Sequence, residues 1–179
     1  DALQGHEALL DWGDGTTETI SILAGSSQFG STHRYADNGS YVVKLIVTDD
    51  DNRQSEPVTF PVDVNNVDVS YDAGSNETLL HPAAGVFSRN GIEFTDPGAD
   101  VWSGTVNYGD SSTNFPLIVN QIAKRFDLGH TYTASGDFTV TVTLQDDDGN
   151  PVTDTFVVTV GLNAPPTIDI DNSSVSANE

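Results

Sequence analysis

Two stretches of the chain are built alike, and any fold must accommodate both. Phe138, Val140, Val142 and Leu144 alternate with Thr139, Thr141, Thr143 and Gln145. That period of two marks a half-buried antiparallel strand. His130-Thr131-Tyr132 leads into it, and it runs out into Asp146-Asp147-Asp148-Gly149. The stretch from His33 to Asn52 repeats the construction. His33, Tyr35, Gly39 and Asp49 recur at one constant spacing as His130, Tyr132, Gly136 and Asp146. Upstream, Asp11-Trp12-Gly13-Asp14-Gly15 recurs as Asn107-Tyr108-Gly109-Asp110-Ser111. The chain reads as a tandem repeat, so its 179 residues hold small units in series rather than one large domain.

In chain order, an aromatic followed by Gly-Asp-Gly predicts a strand ending in a tight turn, with the glycines at positive φ. A strand through Ile20 and Ile22, a polar loop from Ala24 to Thr32, the His33–Asp51 segment and an alternating strand over Val58, Phe60, Val62 and Val64 complete a first unit. After Asn65-Asn66-Val67, the second unit opens with residues 68–96, a segment with no counterpart in the first. There Leu79-Leu80, Val86-Phe87 and Ile92-Phe94 predict two further strands. The expected organisation is residues 1–66 as a unit lacking its opening strands, 67–163 as a complete one, and 164–179 as a linker with the first strand of a third. In the last piece, Thr167–Asp171 has the pattern of an opening strand: it is expected to be a frayed tail, the alternative being that it complements an open edge in a neighbouring molecule. Many strand residues are β-branched, turn signals recur at short intervals, and no stretch has helical periodicity. The expected class is all-β: tandem immunoglobulin-like antiparallel β-sandwiches. The His-x-Tyr before each long strand predicts a tyrosine corner, its hydroxyl bonded back to nearby backbone.

Charge narrows the partners. Acidic residues number 27 against 6 basic, a formal net charge of −21. Nucleic acid and anionic membrane surfaces would repel such a chain. Multivalent cations would not. No cysteine is present, which removes disulfides and thiolate metal sites. No run approaches the length of a membrane-spanning helix, and no charged-then-apolar leader opens the sequence. With no methionine at position 1, the sequence reads as an internal piece of a longer chain.

The combination Asp-Trp-Gly-Asp-Gly-Thr, then His-Arg-Tyr-x₃-Gly-x-Tyr-x-Val-x-Leu-x-Val-Thr-Asp-Asp-Asp-Asn, resembles the PKD repeat. The acidic turns resemble those of bacterial PKD and cadherin-like repeats. The likeness covers about residues 1–66 and 68–163, with Ser111 in place of the closing glycine of the second turn. It implies an extracellular, non-catalytic module, strung in arrays on bacterial surface proteins or appended to secreted hydrolases.

In an immunoglobulin-type sandwich alternate loops lie at opposite ends. Asp96 and Asp100 of one loop therefore meet Asp146 and Asp148 of the last hairpin, where Asn65, Asn66 and Asp68 also arrive. Carboxylates converging with asparagines are the hard oxygen ligands that calcium takes six to eight of. The expectation is a calcium site at the junction between repeats, stiffening it because free carboxylates repel until the ion is present. Asp49 and Asp51 form a weaker candidate in the first unit. Each triplet alone is also what a solvated hairpin turn favours; the convergence is what points to an ion.

The remaining candidates read as structural. Asp14 and Asp110 sit where turns are capped, and His33 and His130 sit beside the corner tyrosines, where packing or hydrogen bonding is expected. No nucleophile elbow or activating motif accompanies any serine. Trp102, at a loop-to-strand step, is expected to pack; if exposed, it is the residue best placed to touch carbohydrate. These readings converge on a non-catalytic extracellular module for adhesion or spacing, with calcium as cofactor and neighbouring repeats of the same chain as first partners. The alternative is an accessory module of a secreted hydrolase, with another protein or a polysaccharide as partner.

Overall fold

The structure is a computed structural model and describes residues 5–81, 85–111 and 113–162. The predicted strand at 167–171 lies outside those residues. Within them the chain is all β-strand with turns and loops, without helix. It divides into two compact units: Asp1–Val69 with Thr95–Trp102 and Gln145–Pro151, and Ser70–Phe94 with Ser103–Leu144 and Val152–Glu179.

In the first unit, β1 (His6–Asp11), β2 (Thr17–Ile22), β3 (Gly39–Thr48) and β4 (Val58–Val64) form one antiparallel sheet in the order β2-β1-β3-β4. Register follows the alternation: Leu10 pairs with Leu45, and Val43 pairs with Phe60. This places Ala8, Leu10, Val43 and Ile22 on the buried face. A two-residue period allows only one such register, since a slip by one residue would turn the whole apolar set outward. The turn after β1 requires glycine at Gly13, whose φ is 82° and whose missing Cβ would strike the Val42 backbone.

In the second unit, β5 (Ser70–Tyr71), β7 (Gly85–Thr95), β10 (Val119–Asn120) and β11 (Arg125–Tyr132) form a sheet ordered β10-β11-β7-β5. The other sheet is β6-β13-β12-β8-β9, from β6 (Glu77–His81), β8 (Ser103–Asn107), β9 (Phe115–Pro116), β12 (Gly136–Gln145) and β13 (Val152–Leu162). The strands expected around Leu79 and from Val86 to Phe94 are β6 and β7. β6 joins β13 in parallel register, Val158 opposite Glu77. Inward residues of the two sheets meet as in an immunoglobulin-like sandwich: Phe87 lies 5.6 Å from Phe156 between ring centroids, and Val140, Val142, Leu144, Phe126 and Leu128 fill the interior. The Arg89 guanidinium covers the Phe156 ring at 4.1 Å.

Candidate metal centre

The loop from Thr95 to Trp102 and the hairpin from Gln145 to Pro151 both belong to the first unit, with the Ala36–Asn38 turn that precedes β3. Backbone and side-chain hydrogen bonds hold them together. The Ala99 amide donates to the Ala36 carbonyl at 3.0 Å, and the Val101 amide to Asp147 Oδ1 at 2.8 Å. The result gathers one carboxylate oxygen each from Asp37, Asp100 and Asp148 within 4.8 Å of one another.

The acids around this point have different duties. Asp146 is fully buried and organises its own hairpin: Oδ1 accepts the amides of Asp148 (3.1 Å) and Gly149, and Oδ2 accepts Asn66 Nδ2 at 3.1 Å. Asp96 is buried too. Its Oδ1 accepts the Gly98 amide at 3.0 Å, and its Oδ2 accepts the Trp102 indole N–H at 2.8 Å. Asp68 Oδ1 accepts the Asn150 amide at 3.2 Å. Asn65 and Asn66 line a groove of about 160 Å³ with Asp37 and Gly98.

Asp100 is the exception. It is only 7% exposed, yet neither carboxylate oxygen has a hydrogen-bond partner. A buried carboxylate without a donor carries the full cost of lost hydration. Burial first, then the Asp96 carboxyl, then the charges of Asp37 and Asp146 push its pKa up to about 6. Glycine at 98 is what lets Asp100 sit there, since a methyl at that position would overlap its carboxylate. Two orphaned oxygens beside two further carboxylates form an all-oxygen donor set, the chemistry of a hard divalent cation. Asp37, Asp100 and Asp148 would be its first ligands.

Of the acids singled out in sequence, the structure brings Asp96, Asp100, Asp146 and Asp148 to one place, with Asn65, Asn66 and Asp68 close by in the same unit. Asp49 and Asp51 lie on a separate hairpin. Asp49 caps it, accepting the Arg53 amide at 2.7 Å, and among the described residues no third acid or histidine gathers with the pair. Asp37 was not among the candidates. Its signal is a local one: Ala36-Asp37-Asn38 leads into β3, and Asp37 stands where the similar stretch of the second unit has Ala134. Trp102 is 6% exposed with its N–H committed to Asp96, so it offers no face for a sugar to stack on.

The histidines pack and bond as expected. His33 Nε2 meets Asp14 Oδ2 at 2.7 Å, and His130 Nε2 meets Asp110 Oδ2 at 2.7 Å. Thr16 and then His33 hold the Asp14 carboxyl down at about 2. The corner tyrosines close the arrangement: Tyr35 donates to the Trp12 carbonyl at 3.0 Å and Tyr132 to the Tyr108 carbonyl at 3.1 Å. His33 stacks on Trp12, and His130 on Tyr108. No hydroxyl or thiol nucleophile pairs with either histidine among the described contacts.

The fold therefore defines an all-β, immunoglobulin-like protein whose notable polar feature is a nest of acids. Residues 80–160 match the PKD domain family. Among solved structures, fibronectin(III)-like modules of Clostridium thermocellum CbhA are 15% identical (TM-score 0.36), covering 87% of this chain and 78% of that one. Chicken CNTN1 FN1–FN3 domains are 10% identical (TM-score 0.35), covering 93% and 60%. Human CDH23 EC21–23 is 14% identical (TM-score 0.36), covering 90% and 63%. No curated protein matches the chain in sequence.

Proposed function

We propose that the chain is a non-catalytic extracellular module for spacing and adhesion, built as tandem PKD-like repeats, and that calcium bound by Asp37, Asp100 and Asp148 rigidifies it. The observation that carries the ion is Asp100, a buried carboxylate with two unpartnered oxygens inside a cluster of acids. A divalent cation turns the least comfortable side chain of the unit into a ligand. It also ties the Ala36–Asn38 turn to two loops that are held otherwise by a few hydrogen bonds. Those loops continue directly into β7, β8, β12 and β13, so fixing them restricts the strands they connect. The extracellular setting and the absence of a reaction rest on the PKD match at 80–160, a kind of module that is typically extracellular and non-catalytic. A role beside a secreted hydrolase remains the alternative; with Trp102 buried, it lacks the aromatic best placed for sugar.

Thermal unfolding with excess calcium and with chelator tests this. At a hundred times the dissociation constant, binding stabilises by about 2.7 kcal/mol, which raises the melting temperature by several degrees. The Asp37→Asn/Asp148→Asn variant should lose the shift. Melting that ignores calcium in the unaltered chain would remove the ion from the reading and leave an acid-rich loop cluster.

A further inference from the structure

A chain with a net charge of −21 repels its own copies wherever acidic surfaces meet. One segment of the second unit escapes this. From Thr113 to Ala123 there is no ionisable side chain, and Lys124 and Arg125, a third of the six basic residues, follow at once. The segment holds the two most exposed large hydrophobic side chains among the described residues, Ile118 at 90% and Ile122 at 97%, with Phe115 at 41%. Single exposed apolar residues need no explanation, but three on one short segment of an acidic chain do. Phe115, Pro116, Leu117 and Ile118 also line a groove of about 350 Å³ shared with Val106, Tyr108, Asp127 and His130.

The surroundings of the segment carry both signs of charge. Arg125 lies opposite Glu93 in the β11–β7 register, and Asp127 follows on the same strand. A patch with an apolar centre and mixed charges at its edge matches its own image under a two-fold rotation, the geometry of an isologous contact. We propose that this segment is a self-association surface, through which two copies of the chain pair with Ile118 and Ile122 at the centre. Lys124 and Arg125 of one copy then approach Glu93 and Asp127 of the other. So small a patch gives a weak contact, one that gains strength when many copies are displayed together.

Analytical ultracentrifugation of the 179-residue chain, at concentrations up to roughly 1 mM and in low and high salt, tests the surface. The expected result is a monomer–dimer equilibrium that tightens as salt screens the net charge. In Ile118→Asp/Ile122→Asp, association should weaken by at least about tenfold, a loss of about 1.4 kcal/mol. Both side chains are exposed, so an unchanged melting curve in the variant verifies that the fold is intact. A chain that stays monomeric throughout the series overturns the proposal. So does a dimer that persists in the variant.

Discussion

Phe60 and Phe156 occupy the same place in two sheets. Phe60 on β4 pairs with Val43 on β3, and Phe156 on β13 pairs with Val140 on β12; both partners are fully buried. Yet Phe60 is 43% exposed and Phe156 only 3%. The strands are equivalent, so the difference arises in what lies over them. In the second unit Phe87 from β7 packs against Phe156 and the Arg89 guanidinium covers its ring. Among the described residues the first unit has no strand corresponding to β7. Alternation decides which face a residue takes; the opposite layer decides whether that face is dry.

The largest test of this contrast is truncation of the two rings. Phe156→Ala opens a cavity in a closed interior and should cost about 3–5 kcal/mol. Phe60→Ala removes a ring that already meets solvent and should cost about 1 kcal/mol. Chemical denaturation of each variant measures both. Equal losses would mean that the first sheet is covered in solution, and the contrast would fail.

The units differ next in charge. The acid at Asp37 has no counterpart in the second unit, where Ala134 takes its place, and Asp100 has no donor. Without metal, Asp100→Asn should therefore stabilise the protein at neutral pH by up to about 3 kcal/mol, because each unit of pKa elevation represents roughly 1.4 kcal/mol of destabilised carboxylate. The sign follows from the direction of the shift. The folded pKa of about 6 lies above the ordinary 3.8, so the contribution is most favourable below 3.8 and is lost as pH rises through 6. Asp14, held down at about 2, acts oppositely: its contribution is present above 3.8 and lost as pH falls toward 2. Melting the unaltered chain in chelator should show stability from Asp100 falling between about pH 4 and 6, with that fall absent in the Asn variant. A variant that is less stable than the parent in chelator would show that the carboxylate is satisfied in solution.

How much was legible in the sequence follows from the range of the forces involved. Strand periods, the glycine turns and the tyrosine corners are local, and they appear where expected: Tyr35 and Tyr132 both bond back to the backbone carbonyl of the paired aromatics Trp12 and Tyr108. The meeting of Asp100 with Asp148 was accessible because loop order in a sandwich is nearly forced. Asp37 was not, since no local pattern shows that an acid in this position meets loops far along the chain. Trp102 packs as expected, but no local signal tells that its N–H meets Asp96, or that Asp49 and Asp51 stand apart. The exposure of Phe60 follows from there being, among the described residues, no strand over its sheet, which is a matter of topology and not of the residue itself.

The smallest difference between the two units is also the simplest to isolate. The turn that closes with Gly15 at φ 89° in the first unit closes with Ser111 at φ 70° in the second. A side chain in the left-handed region costs about 1–2 kcal/mol through the clash of Cβ with the following carbonyl. Glycine avoids the clash but loses more backbone entropy on folding. Ser111→Gly should therefore gain somewhat less, about 0.5–1 kcal/mol. A Cβ at Gly15 would meet nothing within 4 Å, so Gly15→Ser adds no steric term beyond the backbone itself and should cost a similar amount. The two substitutions form a reciprocal pair, and equal and opposite shifts in denaturation midpoint would show that the turns are interchangeable backbones. If Ser111→Gly instead destabilises, the serine hydroxyl holds its turn by a contact that the glycine turn does not need, and the two turns are not equivalent after all.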